Sequence, residues 1–192
     1  MINDVIIIHL HELALKGKNR GWFEKILLSN LKIHLTNLPY KKISNIAGRI
    51  IISHIDINQY DDYKTSLKCL IGIRNFIFAR HCDLDIDIIK ERAISLCKDI
   101  NDPVTFRVSS RRQNKNFKYN TNEINMMVGE FVQKNTGFNV NLGNPDINII
   151  IEIVNNDAFV GVHKINAYGG LPVGSGETAL SLISSDISIF LL

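Results

Sequence analysis

The chain runs to 192 residues, room for one ordinary domain or two small ones and not for a large multidomain enzyme. Hydrophobic residues make up 45% of it and charged residues 21%, which excludes wholesale disorder and allows a buried core. The 22 Lys and Arg against 19 Asp and Glu leave a formal charge of +3, too small to indicate nucleic acid by itself, so the distribution of charge has to decide.

Val5-Ile6-Ile7-Ile8 is a β-branched run that predicts a buried first strand. From Asn19 to Leu38, Phe23, Leu27, Leu31 and Leu35 recur every four positions, predicting a long amphipathic helix that Pro39 ends. Lys41 to Ala47 and Arg49 to Ile55 predict a hairpin that turns at Gly48. Asn58 to Leu70 reads as a second helix stopped near Gly72, and Ile73 to Arg80 as a strand. The order β-α-β-β-α-β is the ferredoxin-like signature, assigned to residues 1–80.

Residues 81–166 form the second predicted unit. Ile86, Ile89, Ala93 and Leu96 keep helical spacing, Asp83 or Asp85 is available as an N-cap, and Pro103 is a stop signal. Val104 to Ser110 predicts a strand. Ile124, Met127, Val128, Phe131 and Val132 make the clearest helical stripe in the chain, closed by Gly137, and such a stripe is ordinarily core contact. Ile147 to Val154 and Ala158 to His163 predict strands joined at Asn155-Asn156-Asp157. Residues 167–192 carry no Lys or Arg; Gly169, Gly170, Gly174 and Gly176 with Pro172 read as a linker, and the apolar stretch from Ala179 as the start of a further domain. No internal repeat is present.

Cys69, Cys82 and Cys97 are odd in number and lack C-x-x-C spacing, which argues against a disulfide framework or a zinc pair and for a reducing compartment. The N-terminus has no basic signal-peptide region and no run reaches the roughly 18 apolar residues of a membrane span, so a cytoplasmic protein without membrane attachment is expected.

The chemistry concentrates in charge. Between Pro103 and Asn122 stand Arg107, Arg111, Arg112, Lys115 and Lys118 with no acidic residue, interleaved with Phe106, Phe117 and Tyr119. Cations on a strand and its following loop meet phosphates, and aromatic faces receive unpaired bases; the plain alternative is a solvated loop. Lys16, Lys18, Arg20 and Lys25 form a second cluster at the entry to the first helix, where backbone amides attract anions. Enzyme motifs are scarce: His11-Glu12 lacks the second histidine of a zinc-protease helix, and Gly170 to Gly176 lacks the Gly-Lys-Ser/Thr of a P-loop. No metal site and no catalytic residue are expected.

Three segments together carry a resemblance. His11-Glu12-Leu13-Ala14-Leu15-Lys16-Gly17-Lys18-Asn19-Arg20 with Phe23 and Asn30, then Asn144-Pro145-Asp146-Ile147, then Gly169-Gly170-Leu171-Pro172-Val173-Gly174 resemble the tRNA 4-thiouridine synthase family, also called tRNA sulfurtransferases or thiamine biosynthesis proteins. The resemblance implies an α+β chain: an N-terminal ferredoxin-like domain, an α/β THUMP domain that binds the tRNA acceptor end, and a PP-loop domain before which this chain is truncated. It places Arg107 to Lys118 at the tRNA, with Lys16, Lys18 and Arg20 as supporting contacts.

In the family, Leu180-Ser181-Leu182-Ile183-Ser184 would be followed by two glycines, a hydrophobic residue, Asp and Ser. Here Ser184, Ser185 and Asp186 make that loop degenerate, because the glycines that admit phosphate are gone and a carboxylate opposes it. ATP and Mg, which serve the intact family, are therefore not expected as cofactors, and the chain alone is predicted inactive as an enzyme. The resemblance further implies a homodimer, delivery of sulfur by a cysteine desulfurase, and a link to thiamine synthesis. Competing expectations are a non-binding remnant or protein-interaction scaffold left by gene decay, and a binding subunit completed in trans by a separate catalytic domain.

Overall fold

The computed structural model describes residues 3–10, 19–98 and 104–177. The segment carrying Lys16 and Lys18, and the degenerate loop at Ser184, Ser185 and Asp186, lie outside the described residues.

In chain order the elements are β1 (Asn3–Leu10), α1 (Arg20–His34), β2 (Lys42–Ile46), β3 (Arg49–Ser53), α2 (Tyr60–Lys68, entered through a 3-10 turn at Ile57–Gln59), β4 (Ile73–Asp83), α3 (Ile86–Cys97), β5 (Thr105–Arg112), α4 (Thr121–Thr136), β6 (Asn139–Val140), β7 (Ile147–Val154), β8 (Asp157–Val162) and β9 (Ile165–Asn166). Two helix signals act as the sequence predicts: Asp85 accepts hydrogen bonds from the Asp87 and Ile88 amides, and Gly137 ends α4 at φ 74°. Asn120 and Glu123 add a reciprocal capping box at the start of α4.

The α+β architecture is as expected, but the two halves share one sheet. Its order is β2-β3-β1-β4-β8-β7-β5-β6, with β9 also on β4. The long strand β4 joins the halves: β1 pairs along one edge, and β8 and β9 pair along the other. The boundary expected at residue 80 falls inside that strand.

Both helix pairs cover the same face of the sheet. Phe23, Leu27, Leu31, Tyr63 and Leu67 of α1 and α2 pack on Ile6, Ile8, Ile50, Ile52 and Phe76. Ile89, Ala93, Ile124, Val128 and Val132 of α3 and α4 pack on Phe106, Ile149, Ile151, Ile153 and Val160. The opposite, helix-free face is buried too, because the sheet rolls on itself: Val5, Ile7, Ile51, Ile77 and Ala79 meet Ile150, Val154 and Phe159. Burial of apolar surface holds the roll closed.

Gly161 of β8 sits at the crease. A Cβ there would collide with the Phe78 carbonyl oxygen and lie 2.7 Å from Ile77 Cγ2, so only glycine lets β8 approach β4 this closely.

The glycine-rich stretch after β9 is laid across the first half of the molecule. Gly169 donates to the Ile73 carbonyl at 2.8 Å, Gly72 donates to the Gly169 carbonyl at 2.7 Å, and Asn30 Nδ2 donates to the Val173 carbonyl at 2.9 Å. Pro172 packs on Gly72, where a Cβ would lie 3.2 Å from Pro172 Cγ.

Candidate nucleic-acid interface

Strand register decides which basic side chains share a surface. Phe106 and Val108 of β5 are buried beneath the helices, so Arg107, Ser109 and Arg111 project to the helix-free face. There Arg107 stands opposite Asn148 and Arg111 opposite Glu152 on β7. Ser109 Oγ donates to Asn148 Oδ1 at 2.8 Å, making a polar floor between the two arginines.

Sequence patterns did not bring Arg49, Arg74 and Lys164 to this face; register does. Between His9↔Asn75 and Leu10↔Ile73 the β1–β4 pairing slips by one residue, leaving Arg74 without an opposite number, and such bulges re-aim side chains. Lys164 occupies the kink between β8 and β9, held by His163, whose φ is 56° and whose amide donates to the Asn148 carbonyl at 3.1 Å. Burial, and then the nearby charges of Arg111, Arg74 and Arg107, hold the Lys164 ammonium below its ordinary pKa, although Glu152 acts the other way.

Glu152 is the one buried charged residue among those described, with 1% of its surface exposed. His9 Nε2 donates to its Oε1 at 2.6 Å and Arg49 Nε donates to its Oε2, while His9 Nδ1 meets Asn75 Oδ1 at 2.8 Å. This cluster ties β1, β3 and β4 to β7 across the rolled face. Burial alone would raise the Glu152 pKa, but the His9 hydrogen bond and the charges of His9 and Arg49 outweigh it and bring it down to about 2. A signal was present in the sequence: Glu152 is the lone acid in the apolar run of β7, and a buried charge demands a partner.

The remaining expected contacts divide. Arg111, Lys115 and Lys118 are exposed, and Arg111 and Lys115 have no hydrogen-bond or ion-pair partner among the described residues. Lys118 lies over the Tyr119 ring, 5.1 Å from its centroid. Arg112 turns inward, its Nη1 donating to the carbonyls of Tyr119 at 2.8 Å and Phe117 at 3.1 Å. Arg20 is held by Glu24 at 2.6 Å, and Glu24 also accepts from Asn45, so Glu24 braces the first helix against β2 while Arg20 neutralises it. Of the aromatic residues expected to receive bases, Phe106 is fully buried and cannot, while Phe117 and Tyr119 are half-buried, packed edge to face on each other and against the core.

Arg112 therefore shapes the loop that carries Lys115 and Lys118. Replacing it by Ala is expected to loosen residues 113–120, raising amide exchange there, at a stability cost of about 1–2 kcal/mol. Unchanged exchange in that loop would contradict this role.

Beside these cations a groove of about 590 Å³ runs between α4 and the edge of β5, lined by Arg107, Asn125, Met126, Gly129, Val140 and Leu142. Met126 and Leu142 are exposed, and β6 is only two residues long, so most of the β5 edge is left open. Among the described residues no group of His, Cys, Asp and Glu is arranged to hold a metal ion, and no helix is long and apolar enough to cross a membrane.

Comparison with known proteins matches residues 5–76 to the ThiI ferredoxin-like domain and residues 84–163 to the THUMP domain. A probable tRNA sulfurtransferase of Thermoanaerobacter sp. (strain X514) is 36% identical over 188 residues, covering 97% of this chain and 48% of that protein. The chain thus spans about half the length of the curated relatives it matches. Among solved structures, a protein from Pyrococcus horikoshii Ot3 superposes with a TM-score of 0.80 at 32% identity, over 90% of this chain and 58% of that one. A 4-thiouridine synthetase in complex with RNA and bound ATP superposes with a TM-score of 0.75 at 31% identity, over 89% of this chain and 44% of that one.

Proposed function

This chain belongs to the tRNA sulfurtransferase family, as its ferredoxin-like and THUMP portion, and we propose that it binds the acceptor end of a tRNA in the cytoplasm through phosphate contacts and shape. The observation that carries this reading is the row of cations on the rolled sheet's helix-free face and the adjoining loop. Arg107, Arg111, Lys115 and Lys118 come from one strand and its loop, and Arg74 and Lys164 join them from β4 and the β8–β9 kink. Such a surface neutralises backbone phosphates and carries little sequence information. The apolar groove along α4 offers unpaired bases a surface, and Asn125 at its wall, whose Oδ1 already accepts from the Ser110 amide, offers its Nδ2 donors. The similarity to a 4-thiouridine synthetase solved with RNA supports the same partner. A homodimer, a cysteine desulfurase partner and use of ATP belong to the reading of the whole family protein, and the degenerate loop at Ser184, Ser185 and Asp186, where no ATP is expected, lies outside the described residues.

The test is charge reversal at Arg111 and Lys115, two exposed residues without described partners. Binding of a tRNA acceptor stem-loop is expected to weaken at least tenfold and to lose about two units of log–log salt slope, with the thermal melt unchanged. An unchanged salt slope would leave these residues as ordinary solvated surface. Equal affinity for single-stranded DNA of the same length would remove the RNA reading.

A further inference from the structure

Arg107 and Arg111 are four positions apart on one strand, about 13 Å along it, with Ser109 between them on the same face. Lys164 follows His163, whose amide donates to the carbonyl of Asn148, the residue opposite Arg107, so its stem starts at this face, and the charges of Arg111, Arg74 and Arg107 all bear on its ammonium. Beneath them is the Ser109–Asn148 pair, a floor of neutral hydrogen-bonding atoms. Glu152 is already matched by Arg49, and none of Arg74, Arg107, Arg111 and Lys164 forms an ion pair with a described residue. Like charges brought together without a counterion destabilise the fold unless an anion accompanies them. A further sign is the Arg107 Nε–H: it is buried without a hydrogen-bond partner, while Nη1 is held by the Leu142 carbonyl at 3.2 Å. Buried donors are ordinarily satisfied, and among the described residues nothing satisfies this one, a status it shares with Arg92 Nε.

We infer that Arg74, Arg107, Arg111 and Lys164 form a focused site for a phosphate monoester, and that in the RNA-bound protein its occupant is the 5′-terminal phosphate of the RNA. The charge balance selects the ligand. A backbone diester carries one negative charge and is met by cations strung along a groove, whereas several cations around one polar floor suit the near-dianionic charge of a terminal phosphate. The groups come from both halves of the molecule, so an occupied site also cements β4 to β5. The 5′-terminal assignment rests on the RNA-binding reading; the monoester site does not, because a free mononucleotide presents the same chemistry.

The experiment uses one RNA stem-loop with a single-stranded 3′ tail, prepared with a 5′-monophosphate or a 5′-hydroxyl, and measures affinity by fluorescence anisotropy at fixed ionic strength. The phosphorylated RNA is expected to bind about tenfold more tightly, and the difference to vanish in the Arg107→Gln/Lys164→Gln variant. Adenosine 5′-monophosphate in excess should erase the difference in the natural chain. If both RNAs bind equally well, the site is overturned and the RNA reading survives. If neither RNA binds but adenosine 5′-monophosphate gives a saturable thermal shift that the variant lacks, the site stands for a free monoester and the RNA reading falls. No response to any phosphate overturns the site. Lys164→Gln alone, at an exposed position, serves if the double variant does not fold.

Discussion

Replacing Gly161 by valine is expected to cost more than about 3 kcal/mol of stability, and by alanine about 2–3 kcal/mol, read from denaturant unfolding. The backbone at Gly161 is not left-handed, so the cost is purely steric. The added carbon would meet the Phe78 carbonyl and Ile77 Cγ2, two parts of the central strand that cannot retreat without breaking pairing on both edges. The contrast is Gly129 in α4, where a Cβ would find only Val108 Cγ2 at 3.9 Å. Gly129→Ala should be neutral or stabilising by up to about 1 kcal/mol through helix propensity. Similar costs at the two glycines would mean that β8 can shift away from β4, and the crease would not be a fixed feature.

The second large effect is at Glu152. Glu152→Gln is expected to destabilise the chain by about 3 kcal/mol, because it leaves Arg49 and His9 facing a neutral group in a water-poor interior. The same cluster sets an acid limit. The folded-state pKa of about 2 lies below the ordinary 4.5, so the group's contribution is complete above pH 4.5 and fades as pH falls toward 2. That difference is worth about 3 kcal/mol, and the stability curves of the natural chain and Glu152→Gln should converge at the acid end of this window. Parallel curves from pH 6 to pH 2 would show that the carboxylate is not held by its partners. Since Glu152 joins β7 to the first half, loss of the pair should also raise amide exchange in β1 and β3.

The separate elements were legible in the sequence, and their assembly was not. Four-residue periodicity found α1, and the stripe from Ile124 to Val132 with Gly137 found α4, because both signals are local. The two-residue strands β6 and β9 escaped, since they are too short to show alternation and exist only through pairing with β5 and β4. The glycine-rich stretch read as a linker because glycine and proline signal a break, yet its glycines admit the close backbone contacts between Gly169, Gly170, Pro172 and the Ile71–Gly72 turn. For the interface, charge composition located Arg107 and Arg111. It could not separate them from Arg112, which differs only in the face of β5 it occupies. Arg74 and Lys164 depend on a bulge and a kink, and isolated basic residues carry no local mark of either. Phe106 misled because a buried anchor and an exposed stacking platform share one composition.

The path of the chain after β9 also has a mechanical consequence. Residues 165–173 return to the first half, so both ends of the second half are rooted in the first. A pull applied at Glu177 against β1 would load the Asn30–Val173 and Gly72–Gly169 bonds before reaching any strand of the second half. The β5 strand that carries Arg107 and Arg111 would be loaded last, whereas Arg74, whose carbonyl accepts from the Ala167 amide, stands beside the contacts that take the strain first.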